Sequence, residues 1–434
     1  MIKKTIFGFL NRKNINIFIL SIGMIFLIVI NITYFYLHLT ANINTNDYAF
    51  NELFINYQAG FIRRGLLGEI FWQANKIFLV SPIVFFSTFF LFIYIAQICL
   101  FYFLFKKFIS SKIIFVFLLL SPSLLLFHIY SPDLYFIKDS IIKFTILLHA
   151  YIFYYFSILN KQNEKYYNYL KFLILPILTV VILTHEYQVF SLSVHFLISL
   201  GAVKKDSQFK QVFKIYSLLI IPFLLMILFI GNEVQFENLS QILKKFDIEL
   251  NPHLGGGLYK YLGAFYKWHF FYFSYRDFVN LFISIILSVF VFIVLFEYMI
   301  EKKIIKTQSK HQSRYLLYFI PTLIPFLLTT DHGRNLSFIG FYLISFYSIL
   351  DLNIKKLINL NEKIYKSLII KYSLIIFLIF YVFMWKLNQF AGFGLRGNPN
   401  DIFQGSLFSE FIRFVKFIYI FIDLNIVNLP EIKL

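Results

Sequence analysis

The chain has 434 residues, of which 59% are apolar, 21% are aromatic and only 14% are charged. Because about a quarter of the residues of a soluble domain are charged, this composition excludes a soluble globular protein. The formal net charge of +18 would suit a nucleic-acid binder, but the placement of the basic residues favours another explanation. The single cysteine, Cys99, lies within an apolar run and is interpreted as a packing residue, so no disulfide framework is predicted.

Long apolar blocks predict membrane-spanning helices, because helices satisfy their own backbone hydrogen bonds in lipid and about 20 residues cross its core. The first block follows four basic residues like a signal sequence, but it is too long and is interpreted as a retained helix. The predicted fold is an all-α integral membrane protein, a polytopic bundle of about 11–12 helices in a single domain. The predicted helices are 15–38, 77–105, 113–130, 141–159, 172–185, 188–203, 215–231, 278–300, 315–330, 336–351 and 369–387, with an amphipathic stretch at 407–427 that either crosses or lies along the surface.

The lysines predict the orientation of this bundle. More than half of the 40 lysines and arginines lie in the N-terminus and in five short connections: 106–112, 160–171, 203–214, 301–314 and 352–371. By the positive-inside rule these segments are cytoplasmic, and the basic charge reflects orientation in a membrane rather than a nucleic-acid partner. The opposite side then carries three larger loops, at about 39–76, 232–277 and 388–406. Nearly all the side chains suited to chemistry lie on that outer side.

Two predicted outer arginines, Arg63 and Arg64, are framed by Gly60, Gly65 and Gly68. Glycines let the backbone approach a ligand closely, and guanidinium groups bind phosphate through two parallel hydrogen bonds. This pattern favours a phosphate site. The structural alternative is a packed loop in which an arginine pairs with Glu52 or Glu69.

His185 and Glu186 follow a run of branched apolar residues, between two predicted helices that are too short for ordinary crossings. The pair predicts a short or re-entrant turn that borders an aqueous cavity, because irregular backbone at membrane depth needs protein or water around it. An ionisable residue inside the membrane boundary is a functional candidate. A Glu–Arg or Glu–His structural pair explains the same residues equally well.

A second candidate is the pentapeptide from Asp331 to Asn335, which is predicted to turn the chain between two helices. Here Arg334 is a candidate phosphate ligand, and Asp331 or His332 is a candidate general base. The structural alternative is a turn whose polar groups cap the two helices.

Other polar residues receive structural interpretations. Asp139 is expected to pair with Lys138 or Lys143, and His149 and His195 are expected to be satisfied core residues. Aromatic and basic residues interleave at 253–269, as in a sugar-stacking surface or an interfacial aromatic belt. No metal-binding or nucleotide-binding motif occurs in the sequence, so no metal site or cofactor is predicted, although participation of a divalent metal stays open.

This layout resembles bacterial glycan-assembly proteins that act on undecaprenyl-linked sugars, namely the Wzy-type repeat-unit polymerases and the GT-C glycosyltransferases. Asp47 stands where GT-C enzymes place a catalytic acid, although the usual paired acidic motif is missing there. Arg64, Arg334 and Arg396 resemble the arginines with which polymerases hold pyrophosphate. The resemblance implies a polyprenyl-linked saccharide as substrate, a GT-C-like or polymerase-like fold and other glycan-assembly proteins as partners.

The function expected is a membrane glycosyltransferase acting on polyprenyl-diphosphate-linked sugars, in particular a repeat-unit polymerase for O-antigen, capsule or exopolysaccharide. It would lie in the bacterial inner membrane with a cytoplasmic N-terminus and no nucleic-acid partner. The alternatives are a lipid-linked oligosaccharide flippase or other carrier, and a scaffold subunit of a glycan assembly. The predicted catalytic residues are Asp47, His185, Glu186, Asp331 and His332, and the predicted phosphate-binding residues are Arg63, Arg64, Arg334 and Arg396.

Overall fold

The structure is a computed structural model that describes residues 12–40, 48–105, 118–129, 135–203, 205–246, 248–251, 254, 279, 281–289, 320–328, 332–349 and 381. Within these ranges the regular structure is helical, with no strand. Five helical segments are long and apolar enough to cross a membrane, and a sixth, Gln188–Leu200, is apolar but shorter. The predicted class, a helical membrane protein, is therefore supported. The five segments are Leu20–Thr40, Pro82–Leu104, Asp139–Leu159, Asn163–Thr184 and Asp206–Leu228.

The helices are numbered here in chain order. They are α1 (Arg12–Thr40), α2 (Tyr48–Glu52), α3 (Leu66–Phe78), α4 (Pro82–Phe105), α5 (Asp139–Phe153), α6 (Asn163–Tyr169), α7 (Leu175–Thr184), α8 (Gln188–Leu200), α9 (Asp206–Ser217), α10 (Ile220–Leu228), α11 (Glu233–Lys244), α12 (Ile320–Leu328) and α13 (His332–Ile349).

Helix α5 is at the centre of the described packing. It lies against α4, α8 and α13, and α8 also lies against α13, so these last two helices and α5 form a three-helix contact. Ile142, Ile146 and Ala150 of α5 are fully buried in the apolar core. Outward-facing apolar residues such as Phe92 and Phe172 remain exposed in the structure, as expected for helices whose outer faces meet lipid.

Two predicted helices, 77–105 and 113–130, have different forms in the structure. The first is divided, because Leu79 adopts a left-handed conformation after α3 and Pro82 begins α4. Proline suits the first turn of a helix, where its missing N–H leaves no hydrogen bond unmade. In the second, the described residues 118–129 are mainly turns and a short 3₁₀ helix at Phe127–Ile129. Pro122 and its flanking serines interrupt the helix, and the side chains of Ser121 and Ser123 hydrogen-bond to each other.

The segment 160–171, predicted as a cytoplasmic connection, is mostly helical. Helices α6 and α7 are joined by a π-helical stretch, Leu170–Ile174, into one candidate span of 22 residues. The prediction of a connection here is wrong because the lysines do not interrupt the helix: Lys165 and Lys171 lie on its exposed face, and Tyr166 is buried on the opposite face. The first crossing around His185 is therefore of full length, and only α8, with 13 residues, is short.

Two further helices begin earlier than predicted. The helix predicted at 215–231 starts at Asp206, where Lys205 and Gln208 form a capping interaction, and it is divided near Leu218 before α10. The helix predicted at 336–351 starts at His332. The predicted turn at 331–335 is therefore wrong in part: His332, Arg334 and Asn335 belong to the first turn of α13, and Asp331 lies outside the described residues.

Candidate functional site

Arg64 links three separate parts of the chain. Its Nη1 donates a hydrogen bond of 2.6 Å to Glu52 of α2, and its Nε donates one of 2.7 Å to Glu186 before α8. Its Nη2 also binds Glu186, and Nη1 of the neighbouring Arg63 lies 3.9 Å from the same carboxylate. The alternative in which Arg64 pairs with Glu52 is thus confirmed, with Glu186 as a second partner.

The glycines next to these arginines are in close contact with neighbouring segments of the same chain. A Cβ at Gly65 would lie 2.5 Å from the ring of Tyr57, and one at Gly68 would lie 2.1 Å from the carbonyl oxygen of Ile55. The expectation that these two glycines admit a ligand is therefore wrong. They allow the chain before α3 to fold tightly, and Arg64 itself adopts a left-handed conformation with φ of 66°. Such a conformation is unfavourable for a side chain, and here the two carboxylates hold it.

Glu69, the other predicted partner of the arginines, supports the same loop from α3. Its carboxylate accepts hydrogen bonds of 3.0 Å from the backbone N–H of Tyr57 and from the side-chain amide of Gln58. Glu69 therefore fixes the segment that precedes Arg63, while Glu52 and Glu186 bind the guanidinium of Arg64.

Arg334 forms the second centre of the site. From the first turn of α13, its Nε and Nη2 bind the two carboxylate oxygens of Asp139, and the Nη2–Oδ1 distance is 2.7 Å. Its Nη2 also lies 3.0 Å from Nε2 of His185. The predicted pairing of Asp139 with Lys138 or Lys143 is wrong. A bidentate guanidinium matches the geometry of a carboxylate better than an ammonium group does.

The two lysines beside Asp139 bind other groups. Nζ of Lys138 donates a hydrogen bond of 3.0 Å to the backbone carbonyl of Arg64. Nζ of Lys143 donates one of 2.7 Å to Ser337 and lies 4.4 Å from the ring centre of Phe127. Both lysines are buried, and because neither hydrogen-bonds a carboxylate, both add positive charge to the site.

The residues described above form one group, which we call the charged cluster. Its members are Glu52, Arg63, Arg64, Lys138, Asp139, Lys143, His185, Glu186 and Arg334. Its three carboxylates belong to residues whose side chains are at most 18% exposed, and the arginines Arg64 and Arg334 are 14% exposed, so one edge of the cluster reaches the surface. With its lysines and arginines protonated, five cations face three carboxylates. Among the residues described, the cluster thus carries two more positive than negative charges.

The protonation of the cluster follows from these contacts. Burial alone would raise the pKa of Glu52, but Lys138 and Arg64 lower it to about 2. The pKa of Glu186 also lies well below its usual value, because Arg64 outweighs the effect of burial. Burial lowers the pKa of Lys138 to about 8 and that of His185 to about 4, although nearby carboxylates act in the opposite direction. At neutral pH both glutamates are ionised, Lys138 is mostly protonated and His185 is neutral.

Three helices begin at the charged cluster. Asp139, Gln188 and His332 are the first residues of α5, α8 and α13, which pack against one another. The N-terminus of a helix carries about half a positive charge from its aligned peptide dipoles. The dipoles therefore add to the excess of cations, and the arrangement is suited to holding an anion at its more exposed edge.

The structure brings together five of the predicted site residues: Arg63, Arg64, His185, Glu186 and Arg334. Asp47, Asp331 and Arg396 lie outside the described residues, and for His332 only the backbone is described. The sequence interpretation missed Asp139, Lys138 and Lys143 as site residues. Their signal was three charges within six residues at the start of an apolar segment, where each buried charge requires a partner.

The described residues contain no group of three or more His, Cys, Asp or Glu side chains arranged to hold a metal ion. In the charged cluster the carboxylates are instead bound by guanidinium groups. The chain matches no known family profile, no curated protein and no solved structure. The geometry and charge of the cluster therefore carry the functional argument.

Proposed function

We propose that the protein is a membrane glycosyltransferase that uses a polyprenyl-diphosphate-linked sugar or oligosaccharide, as a repeat-unit polymerase does. The excess of positive over negative charge in the charged cluster carries this proposal. A diphosphate diester has two negative charges, so it would compensate this excess. Its lipid tail would keep the diphosphate near the membrane boundary, where the candidate spans end.

The position of the arginines supports the transfer step. In this reaction an acceptor hydroxyl attacks the anomeric carbon, the bond between that carbon and the diphosphate oxygen breaks, and the diphosphate leaves with one additional negative charge. Arg63, Arg64 and Arg334 would stabilise this charge as it develops. The cations are already held in place by protein contacts, so little reorganisation is needed during the reaction.

Glu186 is the carboxylate best placed to accept the proton of the acceptor hydroxyl. Its side chain is 18% exposed, against 6% for Glu52 and 0% for Asp139. While Arg64 binds it, Glu186 is a weak base, because its pKa is held well below the usual value. A diphosphate that binds Arg64 would compete with Glu186 and release its carboxylate, which would raise its pKa when a base is needed.

His185 is better suited to positioning. The backbone N–H of Tyr187 donates to its Nδ1 over 3.1 Å, and Arg334 lies against its Nε2. A neutral imidazole has one lone pair, and at Nδ1 the Tyr187 N–H occupies it, so His185 would position its neighbours instead of taking a proton from the substrate.

A carrier remains the alternative function. A carrier exposes its substrate-binding groups to each side in turn, usually near the middle of the membrane. In this protein the ionic groups gather where three helices begin, which favours an enzyme that acts at one surface. By the lysine distribution, that surface would be the outer face of a bacterial inner membrane, with the N-terminus in the cytoplasm.

The proposal is tested by removing the excess charge while leaving the arginine–carboxylate pairs intact. The double variant Lys138→Met, Lys143→Met does this, because neither lysine hydrogen-bonds a carboxylate. Binding of undecaprenyl diphosphate to the purified protein would be measured by native mass spectrometry. We expect the double variant to bind about 100-fold more weakly, at roughly tenfold per charge. Lys76→Met removes an exposed charge on α3 and serves as the matched control.

The same variants would be expressed in source cells that lack the chromosomal copy. We expect the wild-type chain and Lys76→Met to restore surface polysaccharide of normal length, and the double variant to give short chains. Equal binding of undecaprenyl diphosphate by the double variant and the wild type would contradict the anion site. Unchanged polysaccharide after deletion of the chromosomal copy would contradict the polymerase function.

A further inference from the structure

One face of helix α8 is polar and fully buried. Gln188, Ser191, His195 and Ser199 follow one another at intervals of three, four and four residues, which places them along one side of the helix. All four side chains are 0% exposed. Because α8 has 13 residues, this polar face covers only about 20 Å from the charged cluster to the far end of the helix.

Two residues on this face carry polar atoms without hydrogen-bond partners in the described structure. The atoms are Nε2 and Oε1 of Gln188 and Nε2 of His195. On the adjoining helix α13, the hydroxyl of Tyr342 is also buried without a partner in the described structure. A buried polar group that lacks a partner costs roughly 1–3 kcal/mol, so groups of this kind usually bind ordered water.

A chain of hydrogen bonds continues from His195 towards the far end of α8. Nδ1 of His195 lies 3.0 Å from Nδ1 of His149, and Nε2 of His149 lies 2.9 Å from the hydroxyl of Tyr166. Tyr166 donates to Ser199 over 2.9 Å, and Ser199 lies 3.0 Å from the hydroxyl of Tyr216. Tyr216 of α9 is only partly buried, so the chain ends close to the surface. We call these five residues the inner network.

The direction of these hydrogen bonds determines the protonation of both imidazoles. Ser199 donates a hydrogen bond to the backbone carbonyl of His195 over 3.2 Å, and Tyr166 donates one to Ser199. The Tyr166 oxygen therefore accepts a hydrogen bond from Nε2–H of His149. Since a neutral imidazole has one N–H, Nδ1 of His149 accepts from Nδ1–H of His195. Nε2 of His195 then has a free lone pair that faces the bundle interior.

Several of the elements packed against α8 supply the titratable groups around this path. Helix α5 contributes Asp139, Lys143 and His149, α13 contributes Arg334 and Tyr342, and the segment before α8 contributes His185 and Glu186. Tyr166 of α6 and Tyr216 of α9 surround the other end. Between Gln188 and His195 the rise along the helix is about 10.5 Å, a gap that three or four hydrogen-bonded water molecules would bridge.

We propose that water in the contact between α5, α8 and α13 joins the charged cluster to the inner network and forms a path for protons through the bundle. A water molecule gives a proton to Nε2 of His195, whose Nδ1 proton passes to Nδ1 of His149. The Nε2 proton of His149 passes to Tyr166, and the hydroxyl proton of Tyr166 passes to Ser199. The Tyr216 hydroxyl, which donates to Ser199 at rest, first rotates and releases its proton at the far surface, and Ser199 then passes a proton to the Tyr216 oxygen.

Each group along this proton path gains one proton and loses one, so nothing is oxidised or reduced. Rotation of the hydroxyls and exchange of the imidazole protons restore the starting arrangement. The inner network shares no side chain with the charged cluster and carries a different species, so variants of the network test the path separately from the proposed glycosyltransferase activity.

The experiment measures proton flux in proteoliposomes. The full-length protein is reconstituted around an internal pH-sensitive dye, and a potassium gradient with valinomycin drives protons across the membrane. We expect the wild type to change the internal pH faster than protein-free liposomes do. His195→Leu and Tyr166→Phe should each lower the flux at least tenfold, because each interrupts the chain at a different point.

Tyr166→Phe is the more conservative variant, since it keeps the ring and removes only the hydroxyl. Tyr167→Phe is the matched control, because Tyr167 donates to the backbone carbonyl of Ala202 next to the network but is not part of the chain. Its flux should equal that of the wild type. Wild-type flux equal to that of protein-free liposomes would overturn the path, and so would wild-type flux in a folded Tyr166→Phe variant.

Discussion

The charged cluster and the inner network are both buried polar regions to which α5 contributes side chains, but they are stabilised in different ways. The cluster pairs guanidinium groups with carboxylates where α5, α8 and α13 begin. The inner network joins imidazoles and hydroxyls further along the helices. Placing a full charge in the membrane interior is costly, whereas a neutral group needs only a hydrogen bond. The ends of the helices therefore carry charge, and their interior carries neutral hydrogen bonds.

This contrast has a functional consequence. A region with an excess of charge attracts an ion of the opposite sign, while a chain of neutral donors and acceptors is able to pass a proton without binding an ion. The two proposals for this protein, an anion site and a proton path, correspond to these two kinds of polar region.

The largest expected effect on stability comes from breaking an ion pair of the charged cluster. Asp139→Ala leaves Arg334 without the carboxylate that binds it in two places. We expect a loss of about 3–5 kcal/mol, because an uncompensated buried charge is worse than no charge. Thermal unfolding of the purified protein in detergent would measure the loss.

The matched control for Asp139→Ala is Glu164→Ala, which removes an exposed carboxylate and should leave the melting temperature nearly unchanged. The double variant Asp139→Ala, Arg334→Met should recover part of the loss, since it also removes the uncompensated cation. A double variant less stable than Asp139→Ala would show that the pair itself is not the source of the effect.

A smaller effect is expected from pH, through Lys138. Burial lowers its pKa to about 8, so it changes from mostly charged at pH 7 to mostly neutral at pH 9. The excess of positive charge therefore falls as the pH rises, and the affinity for an anion should fall by up to about tenfold. Sulfate is a suitable probe because its charge is constant over this range, and its apparent dissociation constant would be obtained from thermal shifts at constant ionic strength.

Lys138→Met serves as the control for this titration, and its sulfate affinity should depend more weakly on pH. Over the same range Glu52 stays ionised and His185 stays neutral, because their pKa values are about 2 and about 4. Sulfate affinity that rises between pH 7 and pH 9 would be inconsistent with the role given to Lys138.

The smallest expected effect comes from the inner network. Tyr216→Phe removes one hydrogen bond between neutral groups, the contact with Ser199 at 3.0 Å. We expect a loss of about 0.5–1.5 kcal/mol, well below that of Asp139→Ala. Tyr155→Phe, at an exposed tyrosine, is the control. A loss for Tyr216→Phe as large as that for Asp139→Ala would remove the distinction between the two regions.

The class of the protein could be predicted from the sequence because it depends on composition and on continuous apolar runs. Local detail was harder, since lysines do not end a helix when they lie on its exposed face, as Lys165 and Lys171 do in the span Asn163–Thr184. Conversely, the apolar block at 113–130 is broken in its described part, 118–129, by Pro122 and two serines. Apolar content alone does not distinguish these cases.

The sequence by itself determined that this is a helical membrane protein and that Arg63, Arg64, His185, Glu186 and Arg334 are candidates for one site. Only the tertiary structure decided how they pair. Arg64 binds Glu186 across 122 residues, and Arg334 binds Asp139 across 195 residues. Such contacts depend on how whole helices pack, because a side chain reaches only a few ångströms and short-range patterns in the chain do not specify which helices become neighbours.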